Sequence, residues 1–222
     1  MSDRAYVQRH VVIFDCNVYL DVARLLGSPY AQADFDRAVA RLVREPVPHP
    51  ADSRYDSLRA IALCTSGRFA GSEPLEVWTS DHIDRMVRSQ AIRAVEPDPE
   101  TGFHGLGWSE ADAEALVETL VYGIVDASGG DTVGATFPDS EPPLDHEDGL
   151  VFGACRSLAG DDPLCKVYCV TNDGGFLTDY RAGRLSPHTY VLAPAEFLSL
   201  ERLARAAASI RRMPRCVRPS TK

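Results

Sequence analysis

The sequence lacks long hydrophobic runs and CxxC cysteine pairs. No apolar stretch approaches the roughly 18 residues that a membrane span requires, and the start MSDRAYVQRH has no apolar core of the kind found in signal peptides. We therefore expect a cytoplasmic protein with no membrane contact. The six cysteines form no CxxC pair, and four lie within or beside apolar runs, so we expect reduced, buried thiols rather than zinc ligands or disulfides.

Positive charge is missing from a long central segment. The formal net charge is −9, and all 23 lysine and arginine residues lie outside residues 94–155. The segment contains fourteen acids: Glu96, Asp98, Glu100, Glu110, Asp112, Glu114, Glu118, Asp126, Asp131, Asp139, Glu141, Asp145, Glu147 and Asp148. A broad basic surface for nucleic acid is therefore excluded, and any such role would depend on local arginines and bound cations.

Apolar runs alternate with helical patterns along the 222 residues. Strands are predicted near 10–15, 75–79, 167–171 and 190–192, and amphipathic or capped segments between them predict helices. Ser80 is a predicted N-cap, and Ser109 begins a capping box before a helix that is predicted to end near Tyr122. Segments 45–56, 96–107 and 126–143 are predicted loops. This alternation is typical of an α/β fold with a parallel sheet and crossover helices. We expect one domain over residues 1–200, with insertions near 28–74 and 96–143.

Residues 201–222 form a predicted basic tail. After Glu201 the tail contains seven basic residues and no acid. It could bind RNA phosphates or an acidic partner, close over the acidic segment of its own chain, or be a solvated terminus.

Two predicted buried strands end in polar residues. Asp15 and Asn17 follow the first strand, and Thr171 and Asp173 follow or end the late strand Val167–Thr171. Since the carboxyl ends of parallel strands meet at one edge of a sheet, both acids are expected at the same edge, where open α/β folds bind ligands.

Two further acidic groups begin predicted helices. Asp145 and Asp148 lie in the run Asp145-His146-Glu147-Asp148, and Asp84 lies in Ser80-Asp81-His82-Ile83-Asp84. Acids at a helix start also serve as caps and complement the helix dipole.

Carboxylates packed together repel one another unless a cation neutralises them. Oxygen-only clusters suit Mg²⁺ or Mn²⁺, which can activate water for in-line attack on a phosphodiester. We expect Asp15, Asp145, Asp148 and Asp173 to be metal ligands, with Asn17 and Thr171 orienting them through hydrogen bonds.

Four motifs, in chain order, resemble those of PIN-domain nucleases. They are Val11–Val18 with its Asp-x-Asn, Asp145–Asp148 with the following helix, Val170–Asp173 with Phe176-Leu177, and Val191–Leu198. The resemblance implies a three-layer α/β/α fold with a mostly parallel sheet of about four to five strands. It also implies a Mg²⁺- or Mn²⁺-dependent endoribonuclease for single-stranded RNA, most often a VapC-like toxin with an antitoxin partner. A homodimer with a shared groove is a further expectation.

Two positions differ from the pattern of that family. Met86 stands where the family has a glutamate, about six residues after the serine, which leaves Asp81 or Asp84 as the substitute. Gly175 stands where a further acid is common. We expect Asp15, Asp145, Asp148, Asp173 and Asp84 to be the catalytic acids. The chain is also much longer than a compact toxin.

Two alternatives remain open at this point. A non-catalytic PIN-like module that binds RNA or protein is favoured by Met86 and Gly175. A haloacid-dehalogenase-like phosphatase would use Asp15 as nucleophile, but it requires an acid at position 17, where the sequence has Asn17. His82, His104 and His146 are interpreted as polar surface residues rather than general bases.

Overall fold

The protein forms an α/β fold around a mostly parallel six-stranded sheet. The structure, a computed structural model, describes residues 8–45, 52–97, 104–160, 162–182 and 189–212. Strand β1 (Arg9–Phe14) pairs in parallel with β3 (Glu73–Ser80) on one side and with β5 (Cys165–Val170) on the other. Strand β6 (Thr189–Leu192) extends the sheet beyond β5, also in parallel.

Two short strands complete the outer edge of β3. Strand β2 (Arg68–Phe69) is antiparallel to the start of β3, and β4 (Thr132–Val133) is parallel to its end. The expected four to five strands therefore become six, because each predicted insertion supplies a two-residue strand. Neither is long enough to show a periodic pattern in the sequence.

Helices connect the strands and pack against them. Their bounds are α1 (Cys16–Leu26), α2 (Gln32–Arg44), α3 (Ser53–Cys64), α4 (Asp81–Ile92), α5 (Glu110–Leu116), a π-helical turn (Val117–Tyr122), α6 (Gly123–Ser128), α7 (His146–Ala159), α8 (Gly174–Arg181) and α9 (Pro194–Arg212). Helix α3 contacts α1 and α9, while α7 contacts β1 and β5. This arrangement is consistent with three α/β/α layers.

The centre of the core is β1, whose apolar run is buried on both faces. The side chains from Val11 to Phe14 are fully buried, as expected for a central parallel strand. Pairing in register places Phe14 beside Val170 of β5. The two strands therefore end level with each other, and the residues that follow them are neighbours.

Local capping determines where several helices begin. The hydroxyl of Ser80 accepts the amide of Ile83 at 3.3 Å, and that of Ser109 accepts the amide of Asp112 at 3.1 Å, so both predicted caps are confirmed. Asp52 caps α3, so residues 53–56 are helical although the sequence pattern predicted a loop there. Residues 46–51 of that predicted loop lie outside the described residues.

The helical region after Ser109 is longer than expected. The sequence predicts an end near Tyr122, whereas helical geometry continues through a π-helical turn to Ser128. Gly129 then adopts a left-handed conformation, with φ of 77°, and ends the helix. The predicted loop 126–143 therefore starts later and contains β4.

The predicted boundary at residue 200 lies inside α9. Residues 201–212 continue this helix, and Glu201 is buried and ion-paired with Arg205 at 2.6 Å. The remainder of the predicted basic tail, residues 213–222, lies outside the described residues.

The described cysteines and helices bear on two expectations about composition. Cys16, Cys64, Cys155, Cys165 and Cys169 are unpaired thiols, four of them buried, while Cys216 lies outside it. Among the described helices, none combines the length and apolarity needed to cross a bilayer.

Candidate metal site at the carboxyl edge of the sheet

The site begins where β1 and β5 end. The amide of Asp15 donates to the carbonyl of Val170 at 2.9 Å, and the amide of Thr171 donates to that of Leu192 at 3.0 Å. The parallel ladder therefore continues one residue past each strand. It brings Asp15 and Thr171 together across 156 positions of sequence.

Three donors hold the carboxylate of Asp15. Its Oδ1 accepts the amide of Cys16 at 2.6 Å, and its Oδ2 accepts the amide group of Asn17 at 2.6 Å and the hydroxyl of Thr171 at 2.7 Å. Burial raises the pKa of Asp15, and the hydrogen bonds from Thr171 and Cys16 oppose the rise. Asn17 and Thr171 thus both restrict the orientation of the Asp15 carboxylate.

Asp173 and Asp145 are helix caps. Asp173 Oδ1 accepts the amide of Phe176 at 2.8 Å at the start of α8, and Asp145 Oδ1 accepts the amide of Asp148 at 2.9 Å at the start of α7. Capping uses one carboxylate oxygen of each acid. Within the described residues, the second oxygen of each has no protein donor and can face a ligand.

Asp148 shows that the acids influence one another. Burial raises the pKa of Asp148 to about 8, and the negative charges of nearby acids add to the shift. In decreasing order of effect, these acids are Asp15, Asp145, Asp173 and Glu147. The group therefore stores unfavourable like-charge repulsion that a bound cation would relieve.

A cleft of about 340 Å³ opens over these acids. The four predicted metal ligands line it with Glu147 and Asn17, and the remaining lining residues described are Cys16, Leu20, Arg24, His82, Ile83, Met86, Gln90, His104 and Val151. One wall is therefore acidic, whereas the wall formed by α4 and the segment at 104 is mostly neutral.

The structure separates Asp84 from the other predicted catalytic acids. Asp84 is buried and accepts hydrogen bonds from Thr79 Oγ1 at 2.7 Å and from the hydroxyl of Tyr122 at 2.5 Å. Among the described residues, neither Asp84 nor the exposed Asp81 lines the cleft. Met86 does line it, so the apolar thioether occupies the wall where an acid was expected.

Two histidines lie closer to the site than the sequence analysis expected. His82 and His104 line the cleft, whereas His146 is exposed, with its ring 3.5 Å from Glu141. Burial lowers the pKa of His82, and the charge of Glu147 opposes this effect. A neutral imidazole there offers one donor and one acceptor to a ligand.

Arg24 and Gln90 also line the cleft, and the sequence analysis missed both. Arg24 lies on α1 seven positions after Asn17, which is two helical turns along the same face, so helical spacing could have identified it. Gln90 follows Met86 by one turn of α4 in the same way. A strand-end search for acids does not detect such residues.

The donor set suits a hard divalent cation. Asp15, Asp145, Asp148 and Asp173 offer only oxygen atoms, the preferred ligands of Mg²⁺ and Mn²⁺. In the described ranges, no three histidine, cysteine or acidic side chains are already gathered closely enough to hold an ion. Binding would therefore require the acids to move together, which their mutual repulsion opposes until a cation is present.

The fold is consistent with the three-layer α/β/α arrangement that was expected. Comparisons of the chain with models of protein families, with curated proteins and with solved structures found no match.

Proposed function

We propose that the protein is a Mg²⁺- or Mn²⁺-dependent endoribonuclease of PIN-like fold that cleaves single-stranded RNA. The observation that supports this proposal is the convergence of Asp15, Asp145, Asp148 and Asp173 on one cleft at the carboxyl edge of the parallel sheet. Two separate strands and a helix supply these acids. Helix capping accounts for the position of one carboxylate oxygen in some of these acids. It does not account for the grouping of all four acids in one cleft.

Each residue has a distinct part in this proposal. Asp15, Asp145, Asp148 and Asp173 would hold the cation, which when bound supplies an activated water and neutralises charge on the phosphate. Asn17 and Thr171 fix the carboxylate of Asp15 through the hydrogen bonds described above. Asp84 has no catalytic part, because its oxygens bond Thr79 and Tyr122.

The contacts of Asn17 argue against a haloacid-dehalogenase-like phosphatase. Its side-chain amide donates to both Asp15 and Thr171. Because a carboxamide does not ionise, Asn17 cannot act as the acid that such a mechanism needs at this position. Three donors on Asp15 also reduce its nucleophilicity.

A non-catalytic PIN-like module is the second candidate, and Met86 favours it. With the Met86 thioether in the cleft wall and Asp84 turned away, α4 supplies no carboxylate to the cleft. Such a module would bind a cation and RNA, or a protein partner, without cleavage.

Titration calorimetry with Mn²⁺ and cleavage of a single-stranded RNA separate these candidates. For the nuclease, we expect Mn²⁺ binding and cleavage, and a loss of both in Asp15→Asn. Asp126→Asn is the matched control, because Asp126 is an exposed acid on α6 outside the cleft lining. Binding without cleavage supports the module, and no difference between wild type and Asp15→Asn in Mn²⁺ binding contradicts the metal site.

A toxin role with an antitoxin partner is a further part of the proposal, as is a homodimer in the cytoplasm. A small upstream open reading frame with a DNA-binding motif would support the toxin role. Its absence would favour a stand-alone nuclease. Sedimentation of the purified protein tests the homodimer.

A further inference from the structure

A chain of polar contacts connects Asp15 to Arg24 at the rim of the cleft. Asn17, which donates to Asp15, accepts the backbone amide of Asn172 on its Oδ1 at 3.0 Å. The side-chain amide of Asn172 donates to Asp21 Oδ2 at 2.7 Å. Asp21 Oδ1 in turn lies 3.5 Å from Arg24 Nη1. The position of Arg24 is therefore linked to that of the central acid.

Asp21 is the residue that holds Arg24. It is buried, and besides Asn172 it accepts the hydroxyl of Ser57 on α3 at 3.0 Å. Burial raises the pKa of Asp21, while the hydrogen bonds and the charge of Arg24 oppose this effect. A carboxylate with fixed partners restricts a long side chain and lowers the entropy that its guanidinium loses on binding a ligand.

Arg24 is the one guanidinium or ammonium group among the described residues that line the cleft. Its side chain is 33% exposed, so part of its donor set faces the opening rather than Asp21. A planar fork of N–H donors matches the geometry of a phosphate group. The surrounding acids repel phosphate. A guanidinium group held at the rim of the cleft therefore has a large effect on where a phosphodiester chain can lie.

We propose that Arg24 binds the phosphate next to the one at the acidic group, and that Asp21 is its positioning residue. This inference rests on the proposed function and names a contact to the RNA backbone. Arg24 Nη1 lies 3.5 Å from Asp21 Oδ1, and Asp21 follows Asn17 by four residues, about 6 Å along the helix axis. That offset suits a neighbouring phosphate of the same strand rather than the scissile one.

A contact to a neighbouring phosphate has the same strength before and during cleavage. Its loss should therefore raise KM and leave kcat unchanged. We expect Arg24→Ala to raise KM about tenfold, since a charge-assisted hydrogen bond is lost, with kcat within about twofold of wild type. Arg24→Lys should recover part of the affinity, because it keeps the charge but not the fork.

The direct test is fluorescence anisotropy with a labelled single-stranded RNA of about 12 nucleotides, with Ca²⁺ in place of Mn²⁺, at several KCl concentrations. Arg24→Ala should weaken binding about tenfold and reduce the slope of log K against log salt by about 0.7, the value for one phosphate contact on a single strand. Asp21→Asn keeps the size of the side chain but removes its charge, and should raise the dissociation constant several-fold.

Arg88→Ala is the matched control. Arg88 forms a single ion pair with Glu114 at 2.9 Å and does not contribute to the described cleft lining. The Arg88→Ala variant should bind RNA with the affinity of the wild-type protein. Circular dichroism and thermal unfolding of each variant verify that the fold is retained.

The outcomes separate this inference from the proposed function. Wild-type protein that binds RNA with an Arg24-dependent salt slope but does not cleave it supports the contact and contradicts the nuclease. Wild-type protein that cleaves RNA, with an unchanged KM and slope in Arg24→Ala, supports the nuclease and overturns the contact. Wild-type protein that neither binds nor cleaves RNA overturns both.

Discussion

The carboxyl group of Asp148 loses water contact and gains acidic neighbours when the chain folds. Its pKa is 3.8 in a solvated chain and rises to about 8 in the cleft. Because the folded state binds this proton more tightly, the free energy of unfolding should decrease as the pH rises from about 4 to 8, and then level off.

We expect the free energy of unfolding of the Asp148→Asn variant not to show this decrease between about pH 4 and 8. After allowance for solvent screening of a partly exposed group, the variant should be more stable than wild type by about 2 kcal/mol at pH 8, and similar to it near pH 4. Urea unfolding in EDTA across this range measures the difference. Parallel stability curves for the two proteins would show that Asp148 does not titrate in this window.

Asp84, unlike Asp148, is an acid whose hydrogen bonds stabilise the fold. Asp84→Asn keeps the shape of the side chain but removes one acceptor from the pair Thr79 and Tyr122. We expect a loss of about 1 kcal/mol in stability and an Mn²⁺ affinity within about twofold of wild type, measured by denaturation and calorimetry. A large fall in Mn²⁺ affinity would restore Asp84 as a site residue.

Helix α7 depends on close contact with the predicted insertion near 96–143. Its glycines Gly149 and Gly153 lie four positions apart on one face, and a Cβ on Gly153 would be 2.3 Å from the carbonyl oxygen of Phe137. The amide of Asp139 donates to the carbonyl of Gly149 at 2.9 Å. The insertion therefore sets the position of the helix that presents Asp145 and Asp148.

We expect Gly153→Ala to destabilise the protein by about 1–3 kcal/mol and to weaken Mn²⁺ binding by displacing α7. Gly123→Ala is the control, because Gly123 is helical and its Cβ would meet no atom within 4 Å. That variant should gain about 0.5–1 kcal/mol. Equal stabilities for the two variants, measured by urea unfolding, would contradict the close contact.

Sequence patterns predicted the elements whose periodicity is strong. Buried runs such as Val11–Phe14 and the cap at Ser80 indicated β1, β3 and α4, and the strand-end acids indicated the edge that bears the site. The two-residue strands β2 and β4 have no period to detect. Spacing along α4 shows which residues share a face, but it could not show that Asp84 would contact Thr79 and Tyr122 instead of lining the cleft.

At the scale of the whole molecule, negative charge is concentrated in one segment of the chain, and three acids of that segment, Asp145, Glu147 and Asp148, line the cleft. Fourteen acids lie within residues 94–155, and the chain has a formal net charge of −9. Divalent cations should therefore stabilise the protein by binding at one place, whereas monovalent salt only screens the surface.

We expect Mn²⁺ at about 100 times its dissociation constant to add about 2.7 kcal/mol of stability, or roughly 5–10 °C in Tm. Sodium chloride at equal ionic strength should have a much smaller effect, and EDTA should reverse the shift. Asp15→Asn should lose the response, while Asp126→Asn keeps it. Differential scanning calorimetry measures Tm for each protein in each condition. An equal rise in Tm with Mn²⁺ and with sodium chloride would indicate general screening of surface charge.

The caps at Asp145 and Asp173 have a consequence for how this chain could diverge. Asparagine and serine cap helices about as well as aspartate does, so a single substitution at either position would remove a carboxylate without disturbing α7 or α8. A descendant could thus lose ligands of the proposed metal site while folding as before. Conversely, a descendant that keeps both aspartates has not thereby kept the metal site, because selection for helix starts alone would retain them.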